Sequence, residues 1–308
     1  ITGARVTFNG AVNAAAAADA TTMRVNGVGA GLSGMVDFNA AIGGTAALDG
    51  LAVDAGAVAF TGTNKIGALA ADVETGGILV VNQGDLTIGT VEGLVGVNAD
   101  AGNIILRSTL GDLILEDNVT GDTSALAYLN LVTDVGSITG QGLVTGNFVS
   151  FIGEAGVGTG PESTGRVNTD AINLQIGSGS GRAFVNEANS VNVTDAFGAT
   201  GIDLTAAGDV NIDGYVRTDA GDVAITATGA ASDISLGSAS NLTAGGAIGT
   251  VRLNAAGNIS SIPGATLTGS SIVLTADDWI GSILSDATLQ DTEDLAIIDT
   301  ARGLTVGA

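Results

Sequence analysis

Apolar and polar residues alternate in short runs along most of the chain. Val6-Thr7-Phe8, Leu86-Thr87-Ile88, Ile104-Ile105-Leu106, Val210-Asn211-Ile212 and Val223-Ala224-Ile225 each point every second side chain to one face. A period of two marks a half-buried strand. Many runs open on Gly followed by Asp or Asn: Gly84-Asp85, Gly102-Asn103, Gly111-Asp112, Gly208-Asp209, Gly221-Asp222 and Gly257-Asn258. Such pairs suit tight turns, because glycine accepts unusual backbone angles and the short polar side chain bonds locally. No window holds a helical period. The run Ala14 to Ala18 favours helix but is far below the ~12–15 residues an isolated helix needs, and it reads as a corner of small residues.

The spacing of these units predicts a stacked architecture. Motifs at Gly84, Gly102 and Gly111 are 18 and then 9 residues apart, which suits several strands per coil and coils of roughly 18–25 residues. The inward candidates are Ala, Val, Ile, Leu and Thr. They suit the narrow interior of a coil stacked on itself at ~4.8 Å, whereas two packed sheets need larger side chains to fill the space between them. The expected fold is all-β, a single β-solenoid over residues 1–308, with roughly fifteen coils at ~20 residues each. Loop insertions are expected near 153–165 (GEAGVGTGPESTG) and 177–181 (GSGSG). Both chain ends read as strand without a capping helix. The expectation is therefore a section of a longer rod, or a subunit that stacks end to end.

Composition narrows the chemistry. The 308 residues include 49 Gly, two Pro, and no His or Cys. Without His or Cys there is no imidazole base, thiolate nucleophile, disulfide or iron–sulfur ligand set. Acidic residues number 32 against 9 basic, a net charge of −23 with Lys65 the only lysine. That balance argues against nucleic acid and anionic membranes. No stretch reads as a membrane-spanning helix or a signal peptide.

Candidate sites are few. Gly29-Ala30-Gly31-Leu32-Ser33-Gly34 matches a dinucleotide-binding pattern, but strand-like Met35-Val36-Asp37-Phe38 follows where a helix would be needed. Asn168-Thr169-Asp170 and Ala276-Asp277-Asp278 resemble polygalacturonase motifs, yet over a hundred residues separate them and the accompanying His and Lys motifs are missing. Asp277 and Asp278 beside Trp279, the only tryptophan, form the one candidate glycan contact; the competing reading is a solvated turn with the indole packed under a rim. No cofactor is expected. Calcium is the ion the carboxylates would suit, but neither a calcium-roll repeat nor a helix-loop-helix calcium loop is present. A later acidic group, Asp277, Asp278, Asp286, Asp291, Glu293, Asp294 and Asp299, reads as a solvated face.

Phrases such as Val6-Thr7-Phe8-Asn9-Gly10-Ala11-Val12, Ala40-Ala41-Ile42-Gly43-Gly44 and Ala265-Thr266-Leu267-Thr268-Gly269-Ser270-Ser271-Ile272-Val273-Leu274 resemble the repeats of filamentous-haemagglutinin-type and autotransporter-type bacterial adhesins. The likeness spreads over nearly the whole chain, though the Asn-Pro-Asn-Gly-type secretion signature is absent. The resemblance implies a right-handed parallel β-helix outside the cell or on its surface. The expected function is structural and adhesive rather than enzymatic. The expected partners are flanking repeats or further copies of the chain, and host or matrix glycans. Two alternatives stand beside it: a carbohydrate-binding or polysaccharide-active β-helix, and a surface-layer or matrix protein held by divalent ions.

Overall fold

The structure, a computed structural model, describes residues 1–14, 21–27, 34–124 and 127–281, and the backbone of the strands Thr288–Gln290 and Asp294–Asp299. The alanine run 15–18, the glycine pattern 29–33 and the acidic residues Asp286, Asp291 and Glu293 lie outside the described residues, as do the side chains of Asp294 and Asp299.

The chain is all-β and winds as a parallel β-solenoid of about 11 turns. The one helical element among the described residues is a 3-10 turn at Ser163–Gly165. Two compact units are defined, Ile1–Glu154 and Ala155–Ala308.

In the first unit, successive coils pair in parallel and in register. Val25, Val53, Ala71, Val97, Val119 and Val144 stack as one inward column. Ile78, Ile104, Leu129 and Val149 form another. All ten are buried. Alternation places these residues inside, and parallel pairing sets like side chains over like, so each aliphatic layer packs on the next rather than into a central core. A separate three-stranded parallel sheet joins Arg5–Phe8, Met35–Phe38 and Ala57–Phe60. Its rings Phe8, Phe38 and Phe60 stack with centroids 4.8 and 5.1 Å apart. One small antiparallel pair, Thr90–Val91 with Leu94–Val95, departs from the parallel scheme and buries Val91 against Ala52 and Ala70.

The second unit repeats the arrangement. Val185, Leu204, Ile225, Leu253 and Leu274 form one inward column. Val191, Val210, Ile234, Ile259 and Ile280 form another. In the segment 153–165, Gly156–Val157 is a short strand and the backbone closes on itself, with Thr159 and Gly160 N–H donating to the Gly165 carbonyl. The Arg166 guanidinium holds that segment through the carbonyls of Pro161, Val185 and Asp203 and the Asp203 carboxylate, at 2.8–3.2 Å. Gly177 and Ser178 end the strand Val167–Ser178.

There are about 11 turns rather than the roughly fifteen expected at ~20 residues per coil. The separation between stacked residues runs from 18, Leu48 and Ile66, to 30, Arg5 and Met35. Two Gly-Asx motifs commonly share a coil. Those at Gly102 and Gly111 precede Ile104–Ser108 and Leu113–Leu115, consecutive strands of one turn.

Candidate functional site

The Asp and Asn residues of the repeated motif bond between coils. Asp112 N–H donates to Asp85 Oδ1 at 2.9 Å, and Ser137 N–H donates to Asp112 Oδ1 at 2.7 Å. In the second unit, Asp209 N–H donates to Ser190 Oγ, Asp233 N–H to Asp209 Oδ1, and Asn258 N–H to Asp233 Oδ1, at 2.9, 2.9 and 2.6 Å. Asn103 and Asn118 accept in the same way from Tyr128 and Leu143. Each side chain therefore satisfies a backbone donor at the corner where the strand ladder pauses. The glycines make room for it. A Cβ at Gly111 would overlap the Asp85 carboxylate and backbone, and one at Gly136 would overlap Asp112 and Gly111. At these two positions the glycine permits close approach, a role distinct from the turn angles expected of it.

Two grooves flank these ladders. In the second unit a groove of about 420 Å³ is lined by Ile172, Ser190, Asn192, Asp209, Asn211 and Ser235, among others. Its polar floor is a row of amides: Asn211 Nδ2 donates to Asn192 Oδ1 at 3.3 Å, and Asn192 Nδ2 to Asn173 Oδ1 at 3.4 Å. Ile172, half-exposed, supplies an apolar flank. In the first unit a second groove of about 420 Å³ is mainly apolar, with Val58, Phe60, Leu79 and Ile105 in its walls and Asn103 at its margin.

Asp277 and Asp278 are exposed where the strand Ser271–Ala276 ends, and Trp279 opens the strand Trp279–Ile280. Their backbone N–H groups hold the turn by donating to Ala255 and Gly257 carbonyls, both at 3.1 Å. The indole is 49% exposed and lies over Gly281, where a Cβ would collide with the ring. The three residues are neighbours on the surface and line neither groove. Among the described residues, no three Asp or Glu side chains converge as a cation cage, and no helix is long and apolar enough to cross a membrane.

Sequence reasoning missed Glu187. This carboxylate is fully buried, accepting Ala171 N–H at 3.1 Å and Asn189 N–H at 3.0 Å. Burial pushes its pKa up to about 7, with Asp170 adding repulsion, against the lowering effect of the backbone donors. The signal was present: alternation in Ala183-Phe184-Val185-Asn186-Glu187 puts Glu187 on the inward face with Ala183 and Val185.

No protein-family model, curated protein or solved structure matches the chain. What stands on the geometry is the class: a parallel β-solenoid of repeated coils, without α-helix among the described residues.

Proposed function

We propose that the chain is a structural and adhesive β-solenoid of the filamentous-haemagglutinin or autotransporter type, acting outside a bacterial cell without catalysing a reaction. Within each unit, neighbouring coils are joined twice: by the parallel strand ladder and by Asp, Asn and Ser side chains at the turns. That double attachment is the observation that carries the reading. It makes a scaffold that holds its surface rows in fixed register, with stability summed from neighbour to neighbour. In this reading its partners are flanking repeats or further copies, and the exposed faces meet host or matrix surfaces. The test is retention of the displayed chain on matrix-coated and cell-coated surfaces, alongside electron microscopy of the purified protein. Specific retention is expected, with rods or fibres in the images. Retention no better than a carrier control, or turnover of a polysaccharide panel, would remove the reading.

A second reading, glycan binding, draws on the amide row along the second-unit groove, where Asn192 and Asn211 stand beside Ser190 and Ser235. Amides and hydroxyls repeated at strand spacing suit the hydroxyls of a neutral sugar chain. Calorimetry with neutral oligosaccharides would assign the contact. Loss in Asn192→Ala would place it in the groove, and loss in Trp279→Ala would place it at Asp277, Asp278 and Trp279.

A further inference from the structure

We infer that the edge strand Ala57–Phe60 is a docking site for an extended protein segment bearing an aromatic side chain, which adds to it as a fourth parallel strand. The inference is independent of the adhesive reading above.

The three-stranded sheet stops at Ala57–Phe60. The next coil follows it only to the threshold: Glu74 and Thr75 N–H donate to the carbonyls of Ala55 and Gly56 at 3.1 and 2.8 Å. It then enters the strand Ile78–Asn82, which pairs onward with Ile104–Ser108. Among the described residues, no ladder joins Ile78–Asn82 to Ala57–Phe60. A ledge results. Its floor is a sheet edge, and its back wall carries Leu79, 51% exposed, and Ile105. An uncovered edge of this kind is a template for another strand.

The ring stack specifies the guest. Phe8, Phe38 and Phe60 are nearly parallel, with interplanar angles of 4° and 8°, and they repeat at the strand separation. Among the described residues Phe60 stacks on one ring alone, Phe38. A guest residue in parallel register with Phe60 would fall one step further along the stack, and its neighbours would cover Leu79 and Ile105. Aromatic pairing adds to the area buried. The aliphatic wall disfavours a glycan, whose hydroxyls would lose water there without partners. The net charge of −23 favours a guest with basic residues nearby.

The probe is a labelled peptide with the sequence of residues 4–10 (Ala-Arg-Val-Thr-Phe-Asn-Gly), the stretch that contains the sheet's own first strand. Fluorescence polarisation with the full chain is expected to saturate. Binding should weaken at least tenfold when the peptide phenylalanine is replaced by alanine, and equally in Leu79→Glu protein. Leu110→Glu, at another exposed leucine, should bind as the parent does. Leu79 is half-exposed, so its charge is compatible with folding. Melting by circular dichroism checks this, and Ile105→Glu replaces it if the variant unfolds. No saturation, equal binding of the alanine peptide, or unchanged affinity in folded ledge variants would overturn the inference. So would competition for the ledge by neutral oligosaccharide.

Discussion

Inward corners that precede turns are built in two ways, a polar one in the first unit and an alanine one along one column of the second, where a different corner keeps a polar Thr218 bonded to Gly221 and Gly245. In the first, Asn64, Asn82, Ser108 and Thr133 stack in register, all buried. They supply donors to backbone carbonyls: Asn82 Nδ2 to Ile66 and Asp85, Ser108 Oγ to Gly84, and Thr133 Oγ1 to Gly136, at 2.6–3.0 Å. In the second, the column runs Glu187, Ala206, Ala227, Ala255 and Ala276. The alanines bring no polar group, and the coils are joined there by the next residue, as where Thr228 donates its N–H and its Oγ1 to the Ala206 carbonyl at 2.8 and 3.0 Å. Polarity is thus tolerated at this dry corner on one condition, that the side chain complements the backbone groups facing it. Glu187 meets the condition only as an acceptor, and a charge without a cationic partner in a buried place is the cost.

The comparison breaks most sharply at Asn82. Its Oδ1 accepts Ile66 N–H at 2.8 Å while its Nδ2 donates to the carbonyls of Ile66, Gly84 and Asp85. Asn82→Ala would make this corner resemble those of the second unit in composition but not in backbone geometry. It would leave buried groups without partners, at a cost of about 3–5 kcal/mol. Urea unfolding followed by circular dichroism measures it. A loss under about 1 kcal/mol would mean the turn can close without the side chain, as the alanine corners do.

Glu187 gives the next effect, and its sign is opposite to that of an ordinary ion-paired carboxylate. Its folded pKa is raised to about 7, from the ordinary 4.5 of a glutamate. Below pH 4.5 the group is protonated in both states. Between 4.5 and 7 the unfolded chain releases the proton first, so this group's contribution to stability falls as pH rises and stays low above 7. The expected fall is about 3 kcal/mol. Glu187→Gln is uncharged throughout, so the stability difference between parent and variant should change across that window. Parallel curves from pH 4 to 8 would show that the carboxylate ionises freely in place.

How much of this could be read from the chain follows from the same corners. Period-two alternation fixes which residues face inward, including Asn82 with Ile78 and Val80, and Glu187 with Ala183 and Val185. It says nothing of what those inward groups bond to, because their partners lie in backbone that the strand pattern does not describe. Coil length was hidden for a related reason. A Gly-Asx step marks the start of a strand and not of a turn of the solenoid, so its spacing does not fix the residues per coil, and coils that reach 30 residues give fewer turns than ~20 residues each would. The bonding of Asp85 to Asp112, 27 residues on, was hidden by the local logic of turns. The surface position of Asp277, Asp278 and Trp279 was legible. The two grooves were not, since their linings come from separate strands brought together only by register.

Asp112 separates charge from acceptance at the outer corner. Asp112→Ala leaves Ser137 N–H without its 2.7 Å partner, and a loss of about 1–2 kcal/mol is expected. Asp112→Asn keeps the oxygen and should lie within about 0.5 kcal/mol of the parent, as Asn103 and Asn118 already serve this role. Equal losses in both variants would make the negative charge, rather than the acceptor, the reason for aspartate at these steps.

The smallest effect is at Ser108, and it tests whether the two corner designs are interchangeable. Ser108 Oγ donates to Gly84 carbonyl at 2.7 Å and accepts Gly111 N–H at 3.1 Å. Ser108→Ala creates in the first unit the residue that the second uses at Ala206, Ala227 and Ala255. Since Gly111 is pressed against Asp85 and Gly84, its backbone has little room to find another acceptor. A cost of about 1 kcal/mol follows. Were the variant as stable as the parent, the corner backbone would be adjusting to alanine by itself. The polar column of the first unit would then be a tolerated variation and not a requirement of its turns.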